Sequence, residues 1–382
     1  MKLLYFGIYS KGIEYPRNNN LIQALKDQGH EVLEAHYSLA GSFSERMEAV
    51  NRLSKQMRFG MGILMSYFVL AWSFVRQPRV EAIIVGSPGF FHVHWAWLLK
   101  SLLRKKSVFI YDAFIPLYEA LVEDRQLISP HHFLAKLFYR FEQSCCQIVD
   151  MITVDTLAHG QYLNQKFGID GKKIVRLFVG STIQCAEKPS PVRHQNSAVF
   201  NILFVGTYIP LHGIDIILEA ARLLRDDTSI RFTLVGSGQL RQTIEQIASR
   251  CQLSSIEFLD WVPTDELGQY IHKFELSLGI FGTTPKTPRV IPSKVYDICM
   301  AGVPFITADT PAIREVFTHR KNAYLIPAGD AVQLASAIRT IKQDVRLRET
   351  IASGAKRIGQ IDFSPKRLSN DMISAIRMVN PK

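Results

Sequence analysis

ILFVG (202–206), TYIPLH (207–212) and GIDIILEAARLL (213–224) follow one another without a break, and their order decides the fold class. The first piece is an apolar run of strand length that ends on a glycine, which reads as a buried β-strand. In the third, Ile214, Ile217, Leu218, Ala221 and Leu224 recur at helical spacing and make one apolar stripe. A strand that passes through a short loop into an amphipathic helix is a βα unit, the building block of parallel sheets.

The same theme runs outward in both directions. FTLVG (232–236), IEFLDWV (256–262), LSLGIF (276–281) and PFITAD (304–309) continue it towards the C-terminus, and LLYFGI (3–8), AIIVG (82–86), VFIYD (108–112) and MITVD (151–155) precede it. Leu21, Ile22 and Leu25 share a helical face, and Gly29 stands where such a helix ends. The expectation is an α/β protein with two Rossmann-like domains. The polar, proline-containing stretch 181–198 separates the two series and reads as a linker between a domain at 1–180 and one at 199–362. Residues 363–382 read as a C-terminal helix begun at Ser364–Pro365 that crosses back to the first domain.

Composition agrees with a globular chain: 382 residues, 47% apolar and 21% charged. The cysteines are odd in number at five and form no C-x-x-C pair, so neither a disulfide framework nor a zinc site is expected. The N-terminal MKLLYFGIYSKG reads as a first strand rather than a secretory signal, which makes the expected compartment the cytoplasm.

Two segments carry chemistry. In an open α/β sheet, ligands bind at the carboxyl ends of strands. Gly206 and the loop to Gly213 therefore mark a phosphate site, where glycines admit a close approach and the next helix offers free N–H groups. The spacing matches neither the dinucleotide fingerprint nor the P-loop, so an ordinary βα turn is the alternative. The second segment, FGTTPKTPRVIPSKVYDICMAGVP (281–304), is a proline-rich loop followed by a short helix, with Ser293 as its N-cap. Lys294 then sits in the first turn, where a cation is unfavourable unless an anion shares the site. Asp297 lies one turn further on the same face, within reach of the hydroxyls of such a ligand. The alternative makes Lys294 and Asp297 a surface pair. No cluster with metal-ligand spacing accompanies these residues.

Five pieces in order, ILFVGTYIPLHGIDIILEAARLL, FTLVGSGQL, IEFLDWVP, IPSKVYDICMAGVPFITADTPAIREVF and NAYLIPAGD, resemble the GT-B glycosyltransferases of family 4, over roughly residues 199–330. YPRNNNLIQALKDQGHEV and YDAFIPLYEALVEDR resemble the acceptor lobe of that family more loosely. The resemblance implies two lobes with mostly parallel sheets facing across a cleft. It puts a donor diphosphate near Gly206, Thr207, His212 and Lys294, and the base by Gly236 and the turn Trp261, Val262 and Pro263. Asp297 takes the place of an acid that binds the ribose, and Glu315 matches a recurrent acid after the next strand. Thr207 and His212 replace the usual arginine and lysine of the first loop. Arg289 replaces the first glutamate of the paired-acid motif, a departure shared by a P-S-K branch of the family.

The implied activity is transfer of a sugar from a nucleotide-diphosphate sugar to an acceptor hydroxyl, with retained configuration. The donor is a co-substrate, and neither a metal nor another cofactor is implied. His212 and Lys294 would stabilise the leaving group. In the first half Asp112, at the end of VFIYD, is the best acid to orient an acceptor, with a turn-capping role as the alternative. Asp124–Arg125 reads equally as a solvated pair, and His92 and His94 as packed or surface histidines. A nucleotide-sugar epimerase and a catalytically inactive sugar-nucleotide-binding subunit are the competing functions.

Between Asn51 and Tyr111, nine Lys and Arg face one acid, Glu81, a net +8. The same region holds FGMGILMSYFVLAWSFV (59–75), uncharged between Arg58 and Arg76. A membrane span is rejected because the strand EAIIVG follows within a few residues and belongs to the sheet. A helix buried in the first domain accounts for most of the apolar residues but not for the one-sided charge. Tryptophans and a basic cluster in FFHVHWAWLLKSLLRKK suit an anionic lipid surface. The expected location is peripheral, on the inner face of the cytoplasmic membrane, with a glycan or lipid-linked acceptor. Nucleic acid is not expected as a partner, because no binding module is recognisable.

Overall fold

A computed structural model describes residues 1–11, 16–39, 53–125, 127–181, 183 and 199–379. The chain divides into two compact units, Met1–Gly180 with Pro365–Lys382, and Ser181–Ser364. Apart from residues 181 and 183, the segment read as a linker lies outside the described residues.

The first unit is built on a parallel sheet of β1 (Lys2–Gly7), β2 (Glu31–His36), β3 (Ala82–Val85), β4 (Val108–Asp112), β5 (Met151–Val154) and β6 (Ile174–Arg176). Their order is β2-β1-β3-β4-β5-β6. The side chains of Leu3 to Phe6 and of Ala82 to Val85 are wholly buried, as expected of central strands covered on both faces. Two strands of this sheet were not legible in the sequence. EVLEAH forms β2 at a sheet edge, where its glutamates reach solvent and dilute the apolar signal. IVR forms β6 at the other edge and is too short to show a period.

Helix α1 (Arg17–Asp27) buries Leu21, Ile22, Ala24 and Leu25. It ends as the sequence implied, with Gly29 at a φ of +78° and the His30 N–H donating to the Leu25 carbonyl. Helices α2 (Leu53–Arg76) and α3 (Phe90–Leu102) flank β3 in sequence, and α4 (Phe133–Gln147) and α5 (Leu157–Phe167) follow β4 and β5. Helix α2 corrects the expectation of a core helix. Leu70 and Phe74 are buried, but only 17% of the stretch Phe59–Arg76 is, and Phe68 is 74% exposed.

The second unit holds β7 (Phe200–Val205), β8 (Ile230–Val235), β9 (Ile256–Leu259), β10 (Leu276–Leu278), β11 (Phe305–Ala308) and β12 (Tyr324–Ile326). All pairs are parallel, in the order β12-β11-β10-β7-β8-β9. Two expected strands are shorter than read: β9 stops at Leu259, before the WVP turn, and β10 stops at Leu278. Gly279 cannot carry a side chain, because a Cβ there would lie 2.4 Å from Thr307 Oγ1.

The helices of this unit are α6 (Ile214–Leu223), α7 (Arg241–Arg250), α8 (Thr264–Ile271), α9 (Ser293–Ala301), α10 (Pro311–Arg314), α11 (Ala331–Gln343) and α12 (Val345–Ile361). Caps explain several boundaries: Thr310, Asp330 and Asp344 each accept a backbone N–H at the start of α10, α11 and α12. The last helix, α13 (Pro365–Val379), returns to the first unit. Its Leu368, Met372, Ile373 and Ile376 complete a core shared with Leu21 and Leu25 of α1 and Ile84 of β3.

Candidate functional site

In the second unit the chain runs from β7 outward through β8 and β9, then returns to place β10 on the other side of β7. The order reverses between β7 and β10, and a crevice opens beyond the carboxyl ends of strands at such a switch point. The loops that leave β7 and β10 are tied together there, with Phe281 N–H donating to the His212 carbonyl over 3.1 Å. Gly213, at a φ of +62°, lets them touch; a Cβ on it would lie 2.4 Å from the Gly282 nitrogen.

Gly206, Thr207, His212, Gly236 and Lys294 come together at this point. A Cβ on Gly206 would lie 2.7 Å from Lys294 Nζ and 3.2 Å from His212 Cε1, so glycine is what allows both side chains under the turn. Gly236, at the end of β8, backs onto it; a Cβ there would lie 2.2 Å from the Gly206 carbonyl oxygen. His212 shares its Nδ1 hydrogen with the Thr207 carbonyl, which fixes the ring against the loop.

Lys294 carries the strongest electrostatic signal. It is 9% exposed, and its ammonium stands 3.6 Å from the centroid of the Phe204 ring. Nζ is buried and has no hydrogen-bond partner among the described residues. Burial holds its pKa well below the ordinary lysine range. The residue also lies in the first turn of α9, where the positive end of the helix dipole repels a cation. Among the described residues, the face of the Phe204 ring offsets part of these costs.

Asp297, one turn along α9, is 7% exposed and accepts from Ser181 Oγ over 2.7 Å. Lys294 and Asp297 border one cavity with Val205, Leu267, Ile271 and Ile298. A solvated surface pair is therefore excluded, since neither residue is at the surface. Ser293 is corrected from N-cap to first helical residue. Pro292 occupies the cap with extended backbone at φ −66° and ψ 144°, and no side chain caps the helix, so its leading N–H groups lack that partner.

The remaining positions are spread around this centre. Trp261 is 46% exposed beyond β9, with Val262 half-buried and Pro263 exposed next to it. Arg241, which sequence reasoning missed, donates to the Gly236 and Leu259 carbonyls and so ties the ends of β8 and β9 together. Arg289 is buried in a single 3₁₀ turn, Thr287–Arg289, that packs against α10. Glu315 is half-buried at the C-terminal end of α10.

Asp112 belongs to the first unit, and its setting corrects the reading of a group that orients a substrate. It is 1% exposed and is held by Arg17 through Nε at 2.8 Å and Nη2 at 2.7 Å, and by Thr153 Oγ1 at 2.8 Å. A buried guanidinium needs such a counterion, and the carboxylate is committed to that duty. The PRNNN stretch (16–20) explains itself in the same way. Arg17 also donates to the Leu177 carbonyl, and Asn18 bonds both the Ser10 and Ser87 carbonyls, joining the ends of β1 and β3. His92 and His94 are packed histidines, bonded to Ser66 Oγ and Ser144 Oγ.

Comparison with known proteins fits this geometry. Residues 199–344 match the family Glycosyl transferases group 1, the stretch that contains the switch-point site. Over these residues the chain is similar to a group 1 glycosyltransferase domain. An uncharacterized glycosyltransferase of Methanocaldococcus jannaschii is 25% identical over 184 residues, 46% of each chain. The lipopolysaccharide core biosynthesis glycosyltransferase LpsD of Rhizobium meliloti is 25% identical over 172 residues, 45% of this chain and 47% of that one. The chain thus spans about half the length of the curated relatives it matches. Among solved structures, Anabaena HepE in complex with UDP superposes with a TM-score of 0.72 at 16% identity, over 99% of this chain and 100% of the other. Sucrose-phosphate synthase of Thermosynechococcus elongatus gives 0.70 at 15% identity, over 99% and 98%. These likenesses establish the GT-B fold, with two Rossmann-like domains.

Proposed function

We propose that the protein transfers a sugar from a nucleoside-diphosphate sugar to an acceptor hydroxyl, with the donor held by its group 1 domain. The buried, unpaired ammonium of Lys294 at a helix N-terminus carries this reading. A diphosphate at the switch point supplies the missing counterion and takes up the free N–H groups of α9. Gly206 leaves room for it, and His212 borders the same space. Asp297, within the same cavity, accepts hydrogen bonds from the ribose.

In the reaction the anomeric C–O bond to the diphosphate breaks and a bond to the acceptor oxygen forms. The acceptor proton passes to the departing phosphate oxygen, and Lys294 and the helix N-terminus stabilise the charge that develops there. This is the retaining, metal-independent course of family 4, and it needs no further cofactor. HepE has been crystallised with UDP and with UDP-glucose, which makes uridine diphosphate sugars the first donors to test. LpsD acts in lipopolysaccharide core biosynthesis, which favours a cell-surface glycan or lipid-linked precursor as acceptor, and the net +8 of residues 51–111 favours the inner face of the cytoplasmic membrane.

A panel of nucleoside-diphosphate sugars should contain one that raises the melting temperature of the protein. Asp297→Asn should weaken that donor and the free nucleoside diphosphate alike, by about 1.5–3 kcal/mol. No stabilisation by any member, or unchanged affinity in a folded Asp297→Asn variant, defeats the assignment. Arg289 in place of a motif glutamate favours a second reading, a binding subunit without turnover. Release of nucleoside diphosphate together with glycosylated acceptor separates the two, and also excludes an epimerase.

A further inference from the structure

We propose that the outward face of α2, together with the C-terminal end of α3, docks the protein onto an anionic lipid surface. This names the surface behind the membrane location included in the proposed function and rests on that part of it; donor binding stands apart.

Helix α2 has two apolar faces. One carries Ser66, Leu70 and Phe74, all wholly buried in the first unit. The other carries Met61, Leu64, Phe68, Trp72 and Val75, each more than half exposed. From Met57 to Val75 this stripe spans about 27 Å of helix. Single exposed apolar residues are ordinary, but a continuous ridge that includes a tryptophan and a phenylalanine marks an interaction surface.

Charge identifies the partner. Arg76 lies over the Trp72 ring at 3.9 Å, next to the end of the stripe. Lys105, just beyond α3, donates to the Phe74 and Gln77 carbonyls and so joins the C-terminal ends of α2 and α3. Exposed Arg79, Arg104 and Lys106 gather at that same end with exposed Leu102 and Leu103. Of the residues from Asn51 to Tyr111 only Glu81 is acidic, so a second copy on this face would set two basic clusters against each other. Anionic headgroups neutralise the cluster while the apolar ridge enters the acyl boundary.

The helix lies on the surface and does not cross it. Phe59–Arg76 is long and apolar enough to span a bilayer by length and composition. However, Tyr67 Oη donates to the Phe91 carbonyl, Trp95 Nε1 donates to the Tyr67 carbonyl, and Ser66 Oγ is bonded to His92 Nε2. Crossing would break these bonds and strip Leu70 and Phe74 from the core.

Flotation of the whole protein with phosphatidylglycerol–phosphatidylcholine vesicles, and with phosphatidylcholine alone, tests the proposal. Wild type should float with the anionic vesicles only. Combined Phe68→Ser and Trp72→Ser should lose at least about tenfold in vesicle affinity, and combined Arg104→Ser and Lys106→Ser should lose a similar factor at low salt. Circular dichroism and nucleoside diphosphate stabilisation should not change in either variant, which keeps a failure here distinct from a failure of the donor reading. In the unperturbed fold, brominated lipids should quench wild type more than Trp72→Phe. Equal binding by wild type and the Phe68/Trp72 variant, equal quenching with and without Trp72, or a dimer that Phe68→Ser breaks without any vesicle binding would each overturn it.

Discussion

Lys294 joins sequence, fold and the proposed function in a single side chain. Its position in the first turn of a helix was legible, but the burial of Nζ without a hydrogen-bond partner among the described residues was not, because that depends on what Gly206 and Phe204 bring near it. With its pKa lowered by burial, the folded state binds fewer protons than the unfolded one between the depressed value and the ordinary lysine value. Stability of the ligand-free protein therefore rises with pH through that window, and falls as acid forces the charge into the core. Lys294→Met should remove this dependence and raise the melting temperature of the free protein, by about 2–4 °C for each kcal/mol recovered. It should also abolish stabilisation by the donor. Calorimetric scans across pH, with and without nucleoside diphosphate, check both outcomes; a variant that still binds would leave Lys294 as a packing residue. Asp112 shows the reverse case, an acid whose type suggested chemistry and whose partner, 95 residues away, made it structural.

At the scale of elements, buried charge also joins α5 to the turn that follows β4. His159 lies at 2.8 Å from Asp155 Oδ1 and 3.3 Å from Glu119 Oε2, with all three side chains wholly buried. Burial alone would lower the histidine pKa, but Glu119 and Asp155 together hold it up at about 9. The folded state thus keeps a proton that the unfolded state releases. The stabilisation is fully present below the ordinary histidine value of about 6.5 and is lost as pH rises through the folded value. Chemical denaturation of wild type should show the first unit weakening across that alkaline range. His159→Ala should cost about 3–5 kcal/mol, since it removes a buried cation from beside two buried carboxylates. A His159→Ala variant as stable as wild type, with the same pH profile, would show that the three groups do not act together. None of this was visible in MITVDTLAHG, where the histidine looks like any helical residue.

For the whole molecule, the return of α13 makes the first unit discontinuous in sequence. Leu368, Met372, Ile373 and Ile376 fill a core with residues from β1, β3 and α1, at the opposite end of the chain. Each such side chain contributes roughly 1.5–3 kcal/mol by burial. Truncation after Ser364 should therefore lower the thermal transition of the first unit while the second keeps its nucleoside diphosphate affinity. Scanning calorimetry on the truncated and full chains, with and without nucleotide, measures the two effects separately. Equal loss in both units would mean that they unfold as one.

The βα alternation, the parallel sheets, the turn at 206–213 and the short helix near Ser293 were legible in the sequence, because each rests on a period or spacing within a single βα unit. Strand order, the edge strands β2, β6 and β12, the Arg17–Asp112 pair and the outward ridge of α2 were decided by tertiary structure. Helical and strand periods state which residues share a face, but not what that face meets. In α2 both faces are apolar, so composition could not say which one the core would take, and only packing against β1, β2 and α3 left Phe68 and Trp72 outside. Edge strands tolerate charge and brevity because one side pairs and the other is open, which removes the pattern that makes central strands legible. Charge partners obey no local period at all, and only the fold shows that Lys294 Nζ is buried without a hydrogen-bond partner among the described residues.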